Sequence, residues 1–215
     1  MPIIKNLAQE NLTDKDLFSK RTIAVFDFDG TLTKKDSFLD FLIYSFGIYK
    51  AIKNFIGCSF TLLAYMLGIV SNHTAKERVF KSFFKGYPYP DFVKLCERYS
   101  LYRIDEILCQ NAISKVKWHL SEGHTLVLVS ASIKEWVYPW AKKMGFKEII
   151  TTEPEVKNGY LTGMFSTPNC YGEEKKRRFL EKFKDRSSYI LYVYGDSKGD
   201  IPLLKIADRA FYRRF

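Results

Sequence analysis

Asp27 and Asp29 stand two residues apart at the end of the apolar run Ile23-Ala24-Val25-Phe26, and Gly30 and Thr31 follow them. A second acid pair, Asp196 and Asp200, follows the apolar run Tyr189 to Tyr194. Between the pairs lie Ser130, at the end of Thr125 to Val129, and Lys175, in the cationic run Lys175-Lys176-Arg177-Arg178. These residue types fit phosphoryl transfer. A carboxylate can attack phosphorus, and a second acid can protonate the leaving oxygen and later activate water. Residues i and i+2 of a strand share a face, so both can reach one substrate. An anionic nucleophile meeting an anionic phosphate needs its charge offset, for which Mg²⁺ held by Asp27 and Asp196 is suited. Asp200 can orient a metal-bound water or the lysine. The Ser130 hydroxyl, the Ala131 N–H and a lysine ammonium can bind the phosphoryl oxygens.

Taken singly, each feature has a structural reading: a surface turn for the first acid pair, a helix N-cap for Ser130, a solvated helix face for Lys175. Their order, each at a strand-to-loop junction, favours the joint functional reading.

The elements that must position these groups follow from pattern. Apolar runs ending in polar loops read as buried strands at 23–26, 125–129, 148–152 and 189–194. Helices are expected over 133–143, 173–184 and 201–207, with Pro202 suited to a first turn. Asn158-Gly159 predicts a β-hairpin turn. Strands alternating with helices imply a parallel sheet with right-handed crossovers. From Ser37 to Glu122 no strand alternation occurs, so this stretch reads as an all-helical insertion. Helices are expected over 75–80 and 91–100, separated by Gly86-Tyr87-Pro88-Tyr89-Pro90, and one longer helix over 104–121, stopped at Gly123. Phe55 to Val70 is 16 residues without a charge. A span needs about 20, so the shortness favours a helical hairpin buried in the inserted domain over an interfacial surface, and both over a true span.

At 215 residues, 47% hydrophobic and 27% charged, the composition is that of a globular chain and excludes a disordered or collagenous one. The net charge of +10 favours an anionic partner: a phosphate ester, a nucleic acid or an anionic membrane surface. The basic residues are scattered and no nucleic-acid-binding signature is present, so a nucleic-acid partner is not expected. Cys58, Cys96, Cys109 and Cys170 form no paired motif and read as reduced structural thiols of a cytoplasmic protein. Met1 to Lys20 lacks the apolar core of a secretory leader and reads as a short helix or arm.

The motifs, in this order, resemble those of haloacid dehalogenase superfamily phosphatases across nearly all of residues 22–208. Asp27-Phe28-Asp29-Gly30-Thr31 matches the first motif, Ser130 in Leu-Val-Ser-Ala-Ser the second, Gly172-Glu173-Glu174-Lys175 the third, and Gly195-Asp196-Ser197-Lys198-Gly199-Asp200 the fourth. The details are similar to the phosphoserine-phosphatase-like branch, subfamily IB. The resemblance implies an α/β, Rossmann-like doubly wound parallel sheet as catalytic core (residues 1–36 and 123–215). An all-helical C1-type cap (37–122) would be inserted after the first strand. It implies Asp27 as nucleophile and metal ligand, and Asp29 as acid/base, its carbonyl also a metal ligand. Asp196 would bind Mg²⁺ with Asp200 in support, and Gly30, Ser130, Ala131 and Lys175 would bind phosphate, with Lys176 the adjacent alternative to Lys175.

Departures bear on substrate. Phosphoserine phosphatases carry Glu nine residues after the nucleophile, where this chain has Asp36, and Asn where it has Gly199. Their cap arginine, which takes the substrate carboxylate, has Arg78 as its candidate here. The long apolar cap is more similar to bacterial phosphatidylglycerophosphatases of the C type. A Mg²⁺-dependent phosphomonoesterase acting on an amphiphilic or lipid phosphate is therefore expected, with peripheral contact to an anionic membrane at its inner face as one corollary. The alternatives are a small-metabolite phosphatase of phosphoserine type, a phosphotransferase, or, from a different class, a phosphoacceptor regulatory domain. The first-strand position of the acid pair and the long insertion oppose the last, and a membrane-anchored interaction protein is a weaker reading still.

Overall fold

A computed structural model describes residues 20–215; the expected N-terminal helix or arm lies outside the described residues. The central sheet contains β1 (Arg21–Phe26), β2 (Thr125–Ile133), β3 (Glu148–Thr152), β6 (Tyr189–Gly195) and β7 (Arg209–Tyr212), in the order β3-β2-β1-β6-β7. Every neighbouring pair is parallel. β4 (Pro154–Lys157) and β5 (Tyr160–Phe165) form a separate antiparallel hairpin. Its turn is at Asn158 and Gly159, both at positive φ, as the Asn-Gly pair predicts.

β1 is central because it is apolar on both faces. Ala24 and Phe26 point into one core with Leu126, Leu128, Trp136 and Trp140. Ile23 and Val25 point into the other, with Val127, Leu191, Val193 and Phe179. Helix α8 (Lys134–Lys143) covers the first face. Helices α9 (Glu173–Lys182) and α10 (Ile201–Leu204) cover the second, so the sheet is doubly wound as expected. From β1 the chain builds one side of the sheet through β2 and β3, then returns to add β6 and β7 on the other. That reversal leaves a crevice at the carboxyl end of β1, the usual ligand site of such sheets.

Seven helices separate β1 from β2: α1 (Ser37–Phe46), α2 (Ile48–Gly57), α3 (Ser59–Met66), α4 (Asn72–Phe84), α5 (Tyr89–Tyr102), α6 (Ile104–Ile107) and α7 (Gln110–Ser121). The single helix expected over 104–121 is two. Leu108 is extended and bridges Thr33, and the Cys109 N–H donates to the Leu32 carbonyl. The chain leaving the insertion thus pairs with the chain entering it, a long-range contact that no local periodicity reports. β7 also went unexpected, because four residues carry too little pattern.

The expected buried hairpin does not form: α2 and α3 follow one another across the single residue Cys58, whose N–H donates to the Asn54 carbonyl and whose carbonyl accepts from the Leu62 N–H, and only Ala51 of α2 is buried. α3 has no buried residue; Phe60 is 89% exposed and Met66 81%. The insertion has its core in Phe41, Phe80, Phe84, Phe92 and Tyr99, packed edge-to-face and stacked, and Leu62 is the α3 side chain that packs partly against it. No helix among the described residues is long and apolar enough to cross a membrane.

The β4–β5 hairpin fastens the insertion to the sheet domain. The Gly86 N–H donates to the Leu161 carbonyl, the Tyr89 N–H to Gly159 and the Phe165 N–H to Glu77 Oε1 on α4. A Cβ on Gly163 would lie 2.8 Å from Lys81 Cα, so the two backbones meet closely there.

His119, at the end of α7, is wholly buried, with Nδ1 2.7 Å from His124 Nδ1 and Nε2 3.0 Å from the Tyr194 hydroxyl. Burial, with like charge from His124 and Lys115, pushes its pKa down to about 3. The unfolded chain keeps a value of about 6.5, so it binds more protons than the folded chain between these limits. The stabilisation is complete above about pH 6.5 and is lost as pH falls toward 3. Melting curves will show a lower Tm at about pH 5 than at about pH 7.5, and His119→Gln will flatten the difference. An unchanged slope would show that other groups govern the acid limb.

Candidate active site

β1 hands its chain to the site without a break. The Asp27 N–H still donates to the Tyr194 carbonyl, at 3.0 Å, and Phe28 still points into the core against Trp140. Asp27 and Asp29 therefore fall together on the opposite side. The chain then turns tightly, with the Thr31, Leu32 and Thr33 N–H groups all converging on the Phe28 carbonyl. Gly30 makes that turn at φ +77°, and a Cβ there would stand 2.4 Å from Asp196 Oδ2. Gly30 thus lets the first acid loop lie directly against the fourth-motif loop.

Lys175 joins the loops. It is buried, and its ammonium donates to Asp27 Oδ1 at 2.7 Å and to Asp200 Oδ1 at 2.6 Å. Lys175 is therefore not part of a solvated helix face: α9 turns Lys175 inward, and Lys176 outward toward Glu173. Burial alone would lower the Lys175 pKa, but the two carboxylates outweigh it and hold the ammonium charged. Burial pushes Asp27 up to about 8, against the pull of Lys175. Asp200 Oδ2 accepts from the Asp196 and Ser197 N–H groups and the Ser197 hydroxyl, which fixes the loop. Asp196 is half-exposed and accepts from Thr31 Oγ1 at 3.3 Å. Gly199, where phosphoserine phosphatases carry Asn, lies under Tyr171: a Cβ would be 2.4 Å from its ring.

Oxygens of Asp27, Asp196 and Asp200 lie within 4.8 Å of one another. Fully ionised, these three carboxylates would exceed the one ammonium by two negative charges, and burial resists that charge by raising the pKa of Asp27. A hard divalent cation matches both the oxygen donors and that charge.

Asp29 is held separately. The Ser37 N–H donates to its Oδ1 at 2.7 Å, and the Ser132 hydroxyl donates to its Oδ2. Burial, then the charge of Asp36, raises its pKa. Ser130 is not a helix N-cap: β2 continues through it to Ile133, and its Oγ accepts from the Ser132 N–H at 3.0 Å. Ser132 escaped the sequence reading, although the Ser-Ala-Ser alternation places it on the same face as Ser130. Asp36 lines the cavity and caps α1, accepting from the Leu39 N–H at 2.9 Å.

Arg78 does not reach the site; it is exposed, outside the cavity lining. The basic residue that enters from the insertion is Lys76, about 200° around α4 from Arg78. Its ammonium donates to the Ala131 carbonyl at 2.6 Å. Burial lowers its pKa, opposed by Asp29 and Asp36. Lys76 shares the arc of α4 that the buried Val79, Phe80 and Phe83 occupy, and Arg78 lies opposite that arc.

These groups share a cavity of about 600 Å³. Asp27, Asp29, Ser130, Lys175 and Asp196 line its polar end, and Phe38, Leu39, Phe55, Leu62 and Tyr65 line an apolar side.

A doubly wound sheet with an acid loop at its switch point and a buried lysine beside it defines an α/β fold of the haloacid dehalogenase type. The model of the haloacid dehalogenase-like hydrolase family matches residues 24–205, and the chain belongs to that family. It is therefore a hydrolase, which sets aside the phosphoacceptor regulatory domain. The protein CicA of Caulobacter vibrioides is 29% identical over 200 residues, spanning 90% of this chain and 86% of CicA. A protein of unknown function from Bordetella pertussis Tohama I superposes with a TM-score of 0.73 at 26% identity, over 86% of each chain. A phosphoserine phosphatase from T. onnurineus shares the fold, with a TM-score of 0.56 at 21% identity, over 91% of this chain and 84% of that one.

The buried pair separates the two lysines by stability. Lys175→Met leaves two carboxylates unpaired and will cost about 3–5 kcal/mol in urea unfolding. Lys176→Met removes an exposed pair and will cost under about 1 kcal/mol. Equal costs would place Lys175 outside the cluster.

Proposed function

We propose that this hydrolase is a Mg²⁺-dependent phosphomonoesterase that works through an aspartyl-phosphate on Asp27, with an amphiphilic phosphate as substrate. The observation that carries the chemistry is Lys175 bound between Asp27 and Asp200 beside Asp196. Asp27, Asp196 and the Asp29 carbonyl, with Asp200 in support, would hold Mg²⁺, which would offset the negative charge of the phosphoryl group.

In the first step Asp27 attacks phosphorus, and the bond to the leaving oxygen breaks as that oxygen takes the proton of Asp29. The raised pKa of Asp29 keeps a proton available for this transfer. The Ser37 N–H and the Ser132 hydroxyl hold its carboxyl in place. In the second step Asp29 takes a proton from water, which attacks phosphorus and releases Asp27. The Ser130 hydroxyl, the Ala131 and Gly30 N–H groups and Lys175 receive the phosphoryl oxygens. Lys76 adds a cation from the inserted helices, which act as the cap.

The substrate reading rests on the cavity wall. Phe38, Leu39, Phe55, Leu62 and Tyr65 would be ill suited to a small, charged metabolite, and they fit the acyl or alkyl portion of a lipid phosphate such as phosphatidylglycerophosphate. The phosphoserine phosphatase named above supports the phosphatase reading and a small substrate at once. A panel of the two substrate kinds separates these.

Phosphate release from an aryl phosphate will require Mg²⁺ and will be abolished by chelation. Asp27→Asn will remove it below detection, and Asp29→Asn will lower kcat by about 10²–10⁴-fold. No turnover of any ester, with Asp27→Asn indistinguishable from wild type, would overturn the enzyme reading. On the same assay Lys76→Ala will raise KM and Arg78→Ala will leave it unchanged; the reverse would restore Arg78 to the site.

A further inference from the structure

We propose that the exposed face of α2 and α3 is a docking surface for an anionic lipid bilayer, placed so that the mouth of the cavity opens onto the membrane. The inference deepens the amphiphilic-substrate reading and rests on it.

The first observation is exposure. Ile52, Ile56, Phe60, Leu63, Met66 and Leu67 are all solvent-exposed on two consecutive short helices and the turn after them. Scattered surface hydrophobes need no explanation, but a contiguous apolar face of this kind marks an interaction site. The second observation is charge. No acidic residue occurs between Asp40 and Glu77, while Lys50 and Lys53 are exposed on α2. An apolar face flanked only by cations fits an anionic lipid surface, which takes the side chains into its acyl boundary and the ammonium groups at its headgroups. A second copy of the chain fits less well, because pairing two such faces opposes lysine to lysine.

The third observation is continuity with the site. Phe55 on α2 and Leu62 and Tyr65 on α3 line the cavity whose polar end holds Asp27 and Asp29. The same two helices therefore present one side to solvent and another to the cavity. With ten and eight residues they are about 15 and 12 Å long, against about 30 Å of bilayer hydrocarbon, so they lie in the interface and do not cross it. A phosphate ester anchored by its tail can then present its headgroup to Asp27 without leaving the membrane.

The test is co-sedimentation of the purified full chain with vesicles of phosphatidylcholine alone and of phosphatidylcholine with phosphatidylglycerol. Binding to the anionic vesicles, weakened by salt, is expected. The double variant Phe60→Glu/Met66→Glu will weaken it by about tenfold or more, and Lys50→Glu/Lys53→Glu will remove the preference for phosphatidylglycerol. Phe60→Trp will blue-shift its emission on the same vesicles. Hydrolysis of a soluble aryl phosphate without vesicles will be unchanged in the Phe60→Glu/Met66→Glu variant. An active enzyme that ignores the vesicles, or whose binding survives the double variant, would overturn the docking surface and leave the phosphatase reading intact. Vesicle binding by a protein inert toward every ester would do the converse. A concentration-dependent dimer abolished by the double variant, without vesicle binding, would assign the face to a second copy.

Discussion

The ammonium of Lys175, buried between Asp27 and Asp200, is the interaction on which the site depends. It ties the end of β1 to the loop after β6 through a residue on α9, three elements remote in sequence. A buried cation is tolerated only when it is paired, and a pair of this kind is costly to break from either side. The cluster therefore constrains α9 to stand over the sheet edge in one rotation, with Phe179 in the core one turn further on. Around it the glycines at 30 and 199 remove the atoms that would hold the loops apart.

The sheet accounts for where this cluster can exist. β1 is buried on both faces, so its side chains are spent on the two cores, and chemistry is confined to its carboxyl end. Strand order β3-β2-β1-β6-β7 sends the neighbouring loops in opposite directions at that end. The crevice so formed admits Ser130 and Ser132 from one side and Asp196 and Asp200 from the other. The inserted helices close it from above, held by the β4–β5 hairpin, and contribute Lys76 together with the apolar wall. One cavity thus joins a strongly polar end to a hydrophobic side.

Much of this was legible in the chain. Asp27, Asp29, Ser130 and Asp196 were marked by apolar runs that end in polar residues, Lys175 and Asp200 by their place in the order of motifs, and the structure brings these six together. The strands at 148–152 and 189–194 and the hairpin at Asn158-Gly159 were equally visible, because period and turn chemistry are local. The misreadings share a different cause. Arg78 is the candidate that the family resemblance implies for a cap arginine, and residue type alone does not set which side of α4 faces the site. The helix over 104–121 was read as continuous because the pairing of Leu108 with Thr33 spans some 75 positions. The apolar run at 55–70 was assigned to a core because burial is not a property of the run itself.

Composition and local pattern by themselves determined a parallel α/β sheet with a helical insertion and the order of the polar junctions, since these follow from residue type and short-range periodicity. Tertiary structure alone decided which lysine meets the carboxylates, which basic residue descends from the insertion, how Ser132 and Ser37 orient Asp29, and which apolar side chains remain in solvent. Each of these depends on how one element is rotated and packed against another. The energies that set that rotation, burial of Phe179 and Val79 and pairing of Lys175, act between residues far apart in the chain.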